Sequence, residues 1–138
     1  MRGTHMKDRI LVVDDDEIIR EFFQAAFTDA GYEIVLAEDG EEALEIMKEH
    51  DIHVVFLDLK LFGMNGIDLC RQIRAFKPLA IIYAMTGWGY LYEIEECREA
   101  GFDDFFRKPV SMDIIFKAVK DAFEKLTRWR YPSQGSTD

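Results

Sequence analysis

A doubly wound α/β fold, with five parallel strands in the order 2-1-3-4-5 and helices on both faces, is what this 138-residue sequence predicts. Two observations lead there. Apolar runs of strand length alternate five times with longer segments of helical periodicity, and right-handed crossovers between parallel strands leave few other topologies. The first and third runs also stop abruptly on acids, at Asp14-Asp15-Asp16 and at Asp58. Buried strands that end this way deliver carboxylates to the crevice at the carboxyl edge of the sheet, where open α/β folds bind ligands.

Each element has its own signal. The first strand is the run at 10–13, and the helix after it carries Ile18, Ile19, Phe22, Phe23, Ala26 and Phe27 at three- and four-residue spacing until Gly31. Asp16 suits the N-cap of that helix. The second strand is expected at 34–37, followed by a helix opened by Asp39 and Gly40 and striped by Ala43, Leu44 and Met47. After the third strand at 54–57, Ile67, Cys70, Ile73 and Phe76 mark a third helix that Pro78 ends, because a residue before proline is pushed out of the α region. The fourth strand is expected at 80–85. The helix after it, over 90–100, has only the thin stripe Leu91, Ile94 and Cys97 among four glutamates, which predicts marginal packing. A weaker fifth strand at 102–106 precedes a helix starting near Ser111 and striped by Ile114, Ile115, Ala118, Val119, Ala122, Phe123 and Leu126.

Length and a 49% hydrophobic composition suit one compact domain, placed at 7–127. Residues 1–6 read as an expression-tag remnant, and 128–138 as a flexible tail or linker stub. A formal net charge of −10 disfavours direct contact with nucleic acid or an anionic membrane, leaving proteins or small ions as partners. Cys70 and Cys97 lack metal or dithiol spacing and are expected to stay reduced, in the cytoplasm. No apolar run approaches the roughly 20 residues that span a bilayer. Under the expected strand order Asp14, Asp15 and Asp58 meet above the sheet. Clustered carboxylates raise one another's pKa unless a cation joins them, so the trio reads as a divalent-metal site.

At that point four motifs converge: a strand ending in Asp14-Asp15, a strand ending in Asp58 followed by Gly63-Met64-Asn65-Gly66, Thr86 closing the fourth strand, and Lys108-Pro109 after the fifth. In this order the chain resembles, over nearly its whole length, the CheY-like receiver domain of two-component response regulators, a flavodoxin-like fold. The phrase from Gly101 to Val110 also looks like receivers attached to hybrid histidine kinases. The resemblance implies that Asp58 is a phosphoacceptor taking a phosphoryl group from a histidine kinase or a histidine phosphotransfer protein. It implies Mg2+ (or Mn2+) held by Asp15, Asp58 and the Lys60 backbone carbonyl, with Asp14 acting through water. It assigns Lys108 to charge neutralisation, a cis bond to Lys108-Pro109, and a switch to Thr86 and Phe105. Output would pass through the face of the fourth helix, fifth strand and fifth helix, to a downstream protein or a second copy, with Trp88, Tyr90 and Tyr92 nearby.

Two departures stand out. Phe62 occupies the position where the family usually has proline, which removes a fixed φ and sets a bulky group beside the site. Lys60 puts an ammonium two residues past the acceptor, which predicts slow self-dephosphorylation. The competing reading is a pseudo-receiver, an interaction domain with the same fold and no phosphorylation. An aspartyl phosphatase would want an acid at Lys60, and a flavin site would find its phosphate repelled by Asp14-Asp15-Asp16.

Overall fold

A computed structural model of the chain describes residues 8–87 and 94–130. Residues 1–7, residues 88–93 with Trp88, Tyr90 and Tyr92, and residues 131–138 lie outside the described residues, and with them the stretch expected to be a tag remnant and most of the expected tail. Strands and helices alternate: β1 Arg9–Val13, α1 Glu17–Asp29, β2 Glu33–Ala37, α2 Gly40–Glu49, β3 Val54–Asp58, α3 Gly66–Phe76, β4 Ile81–Thr86, α4 Ile94–Ala100, β5 Asp104–Arg107 and α5 Met112–Arg130. Among the described residues the strands form one parallel sheet in the order β2-β1-β3-β4-β5, as the sequence predicts. β1 and β3 are neighbours, with Val13 opposite Leu57, so the chain beyond each strand leaves the sheet at adjacent points.

Alternation along each strand divides the core into two layers. Leu11, Val13, Val55, Leu57, Ile82 and Ala84 face α2, α3 and α4, where Met47, Ile73 and Cys97 meet them. Ile10, Val12, Phe56, Tyr83 and Met85 face α1 and α5. That second layer is largely aromatic: Phe56 lies 5.0 Å from Tyr83, 5.9 Å from Phe23 and 6.2 Å from Phe106, centroid to centroid. Tyr83 keeps its hydroxyl satisfied by donating to the Ala118 carbonyl at 3.1 Å. Burial pushes that phenol up to about 12.

Asp16 and Asp39 cap α1 and α2, at the helix starts where the sequence places them. Asp16 accepts from the Ile18 N–H and Asp39 from the Glu42 N–H, each at 2.9 Å. Some stripe residues are outside the core. Ile18 is 74% exposed, Phe22 47% and Ile114 58%, because three- and four-residue spacing spreads over more of the helix surface than the sheet covers. α5 also continues through Arg128, Trp129 and Arg130, past the boundary expected at 127. Among the described residues no helix is long and apolar enough to cross a membrane.

Cys70 and Cys97 are both buried and not joined by a disulfide. Burial pushes the Cys70 thiol up to about 12, so little thiolate exists near neutrality. Iodoacetamide at pH 8 is therefore expected to leave Cys70 unmodified in the native protein and to label it within minutes in guanidinium. Equal labelling in both states, read by peptide mass, would contradict the burial.

Candidate functional site

Among the described residues the buried polar side chains are Asp14, Asp58 and Thr86, at 0%, 7% and 3% exposure. All three are residues the motifs single out. Burying a polar group costs stability unless it is paired, so three of them gathered at one edge of the sheet need a compensating chemistry.

Asp14 follows β1 and is held at every polar atom. Its N–H donates to the Ala37 carbonyl at 3.1 Å, tying it to the end of β2. Oδ1 accepts from the Asp16 N–H and Oδ2 from Lys108 Nζ, both at 2.9 Å. Its own carbonyl accepts from Arg20 Nη1 at 2.7 Å. Asp15 is exposed beside it, and Asp58 closes β3. One carboxylate oxygen from each of Asp14, Asp15 and Asp58 lies within 4.8 Å of the other two, a spacing that fits a divalent cation.

Lys108 reaches in from the chain after β5, its Nζ 2.9 Å from Asp14 and 3.3 Å from Asp58. Its N–H donates to the Thr86 carbonyl at 2.7 Å, and the Lys108-Pro109 bond is cis. Burial pushes the Asp58 carboxyl above its ordinary value and the Asp14 charge adds to this, against the partial relief of Lys108 and the Lys60 N–H. For Lys108, burial acts to lower the ammonium, but the bond to Asp14 and the charge of Asp58 outweigh it and leave it raised. One cation thus serves two carboxylates incompletely. The deficit of positive charge is the electrostatic signature of the place.

Lys60 is exposed; its N–H donates to Asp58 Oδ1 at 3.2 Å. Phe62 is 85% exposed, so the bulky group expected beside the site turns to solvent. Thr86 pairs with Arg107 in the β4–β5 register and Ala84 with Phe105. Strand alternation puts Thr86 on the face of Ala84, and Phe105 is half-buried against that same layer.

Two participants had no role assigned from the sequence, although Gly66 lies in one of the motifs. Gly66 opens α3 against the end of β3, donating its N–H to the Leu59 carbonyl at 2.9 Å; a Cβ there would meet the Asp58 carbonyl oxygen at 2.5 Å. The Gly63-to-Gly66 motif could have signalled this. Arg20, whose side chain is 13% exposed, belongs to none of the motifs.

A doubly wound sheet with an acidic trio at its switch point, a lysine across from it and a buried threonine at the next strand end defines a signalling receiver. Residues 10–120 match the response regulator receiver domain, and the chain belongs to that family. It is 35% identical to sporulation initiation phosphotransferase F of Bacillus subtilis, over 83% of this chain and 93% of that one. It is 34% identical to a cyclic di-GMP phosphodiesterase of Thermotoga maritima over 77% of this chain, but spans only 28% of that protein's length. Among solved structures it is similar to the receiver domain of Ssk1 crystallised with the histidine phosphotransfer signaling protein Ypd1 of Saccharomyces cerevisiae. There the TM-score is 0.75 at 27% identity, covering 81% of this chain and 86% of that one. Receiver domains interact with histidine kinases or phosphotransfer proteins and typically bind Mg2+ at an acidic pocket.

Proposed function

We propose that this domain accepts a phosphoryl group on Asp58 from a phosphohistidine, in a Mg2+-dependent reaction, and relays the change through its α4-β5-α5 face. The observation that carries this reading is the coincidence of burial and motif: the buried polar side chains among the described residues are Asp14, Asp58 and Thr86. Similarity to a protein named a phosphotransferase, over 93% of that protein's length, supports transfer by a domain of this size.

In the proposed step an Asp58 oxygen attacks phosphorus, a P–O bond forms as the P–N bond breaks, and the histidine nitrogen keeps the electron pair and takes up a proton. Asp14, Asp15 and Asp58, with the Lys60 carbonyl, would hold Mg2+, which when bound neutralises charge on the phosphoryl oxygens. Lys108 stays within reach of the same oxygens as a second cation. Moving the Asp58 charge outward onto a phosphoryl group would draw in the Thr86 hydroxyl. Phe105, on the same face of the sheet, would fill the space released, altering the surface next to α4.

Incubation with acetyl phosphate and Mg2+ tests the reading by intact mass. The wild type is expected to gain about 80 Da, the mass of one phosphoryl group. No gain is expected in EDTA or in Asp58→Ala. An unmodified wild type under saturating phosphodonor would leave the pseudo-receiver reading standing. The same assay gives the lifetime: Lys60→Ala should shorten the half-life of the acyl phosphate by up to about fivefold, the scale of one exposed charge. An unchanged half-life would remove Lys60 from the account.

A further inference from the structure

We infer that Arg20 is a positioning residue for the metal-binding acids, fixing the Asp14–Asp15 peptide and through it the direction of the Asp15 carboxylate. This rests on the proposed Mg2+ site. Among the described residues no hydrogen bond or ion pair holds the Asp15 side chain, so what the fold fixes is its backbone, and with it the direction in which the side chain leaves the chain. That backbone is set by the preceding peptide, which is planar: holding its oxygen also holds the Asp15 nitrogen. Arg20 holds that oxygen, with Nη1 2.7 Å from the Asp14 carbonyl. The Asp14 N–H is bonded to Ala37 at 3.1 Å, so the residue before Asp15 is gripped from both sides.

The guanidinium has a different task from Lys108. It stands among acids, yet its short bond goes to a backbone oxygen, and its nearest carboxylate is the 70%-exposed Glu38 at 3.8 Å. A cation placed to neutralise the trio would pair with Asp15 or Asp58 instead. Arg20 lies six residues after Asp14, where one turn of α1 brings its side chain back under the loop that the Asp16 cap has turned.

The two explanations for Arg20 predict opposite signs. If its charge is what matters, removing it relieves repulsion of Mg2+ and tightens binding. If it positions Asp15, removing it loosens binding, and partners that orient metal ligands are worth about tenfold or more in affinity. Mg2+ titrations of the full chain, followed by amide NMR shifts, are therefore expected to show Arg20→Met binding about tenfold more weakly than wild type. Arg20→Lys keeps the charge but places one ammonium where a planar fork stood, and is expected to fall between the two. Melting in EDTA establishes that each variant is folded. Wild-type or tighter affinity in a folded Arg20→Met overturns the inference. Should that variant not fold, wild-type affinity in Arg20→Lys overturns it instead. A wild type indifferent to Mg2+ would be a failure of the metal site itself, seen before any variant is compared.

Discussion

Asp58→Asn is expected to melt higher than the wild type in EDTA and lower in saturating Mg2+. In the ion-free protein Asp58, with a side chain only 10% exposed, shares the Lys108 ammonium with Asp14. Burial, and then the charge of Asp14, raise its carboxyl above the ordinary value. A carboxyl raised in the folded state binds its proton more tightly folded than unfolded. The linked stability is therefore complete below the unfolded value and is lost as pH rises through the folded one. At pH 7 the ionised group is a net cost, which asparagine removes. Lys108 keeps its 2.9 Å partner Asp14, so no unpaired ammonium results.

The gain in EDTA should be a few degrees, the shift that about 1 kcal/mol produces in a domain of this size. It should shrink as pH falls through the raised folded value, where the wild-type carboxyl takes up its proton. Mg2+ reverses the order, because a ligand at 100 times its dissociation constant stabilises by about 2.7 kcal/mol and the variant lacks one of three carboxylates. Melting curves at pH 7, with and without the ion, check both signs. An Asp58→Asn protein less stable than wild type in EDTA would mean that Lys108 already satisfies the charge.

The second large effect is expected at Gly66. An alanine Cβ would stand 2.5 Å from the Asp58 carbonyl oxygen and 2.8 Å from the Leu59 Cα, both backbone atoms that cannot swing aside. Gly66→Ala should therefore destabilise by about 2–3 kcal/mol, as forced overpacking does. Because the clash falls on Asp58 itself, the folded fraction should also gain phosphoryl mass more slowly. Gly63→Ala meets no atom but sits at φ +88°, so it should lose about 1–2 kcal/mol to backbone strain alone. Gly87→Ala meets no atom of the described residues within 4 Å and is the expected neutral control. Urea denaturation of the three variants ranks them, and a Gly66→Ala protein as stable as Gly87→Ala would show that α3 does not press on the end of β3.

Much of this protein was legible because its signals are local. Strand-length runs such as Val54-Val55-Phe56-Leu57, the Asp16 and Asp39 caps, and the period of α5 each involve residues within a few positions of one another. Five alternations with one allowed handedness then leave few sheet orders, and in the order 2-1-3-4-5 Asp14, Asp15 and Asp58 meet. By itself the sequence determined the layers, the strand order and the acidic trio; the lysine facing it was implied only by the resemblance to receivers.

Tertiary structure alone decided which apolar residues the sheet covers, leaving Ile18 and Phe22 outside while Phe23 and Phe27 are buried. It also turned Phe62 to solvent, brought α3 against the Asp58 carbonyl, and closed Arg20 onto the Asp14 peptide. These outcomes depend on distances of a few tenths of an ångström between segments remote in sequence or on opposite sides of a turn. Periodicity carries no record of such distances; packing settles them only once the whole sheet has formed.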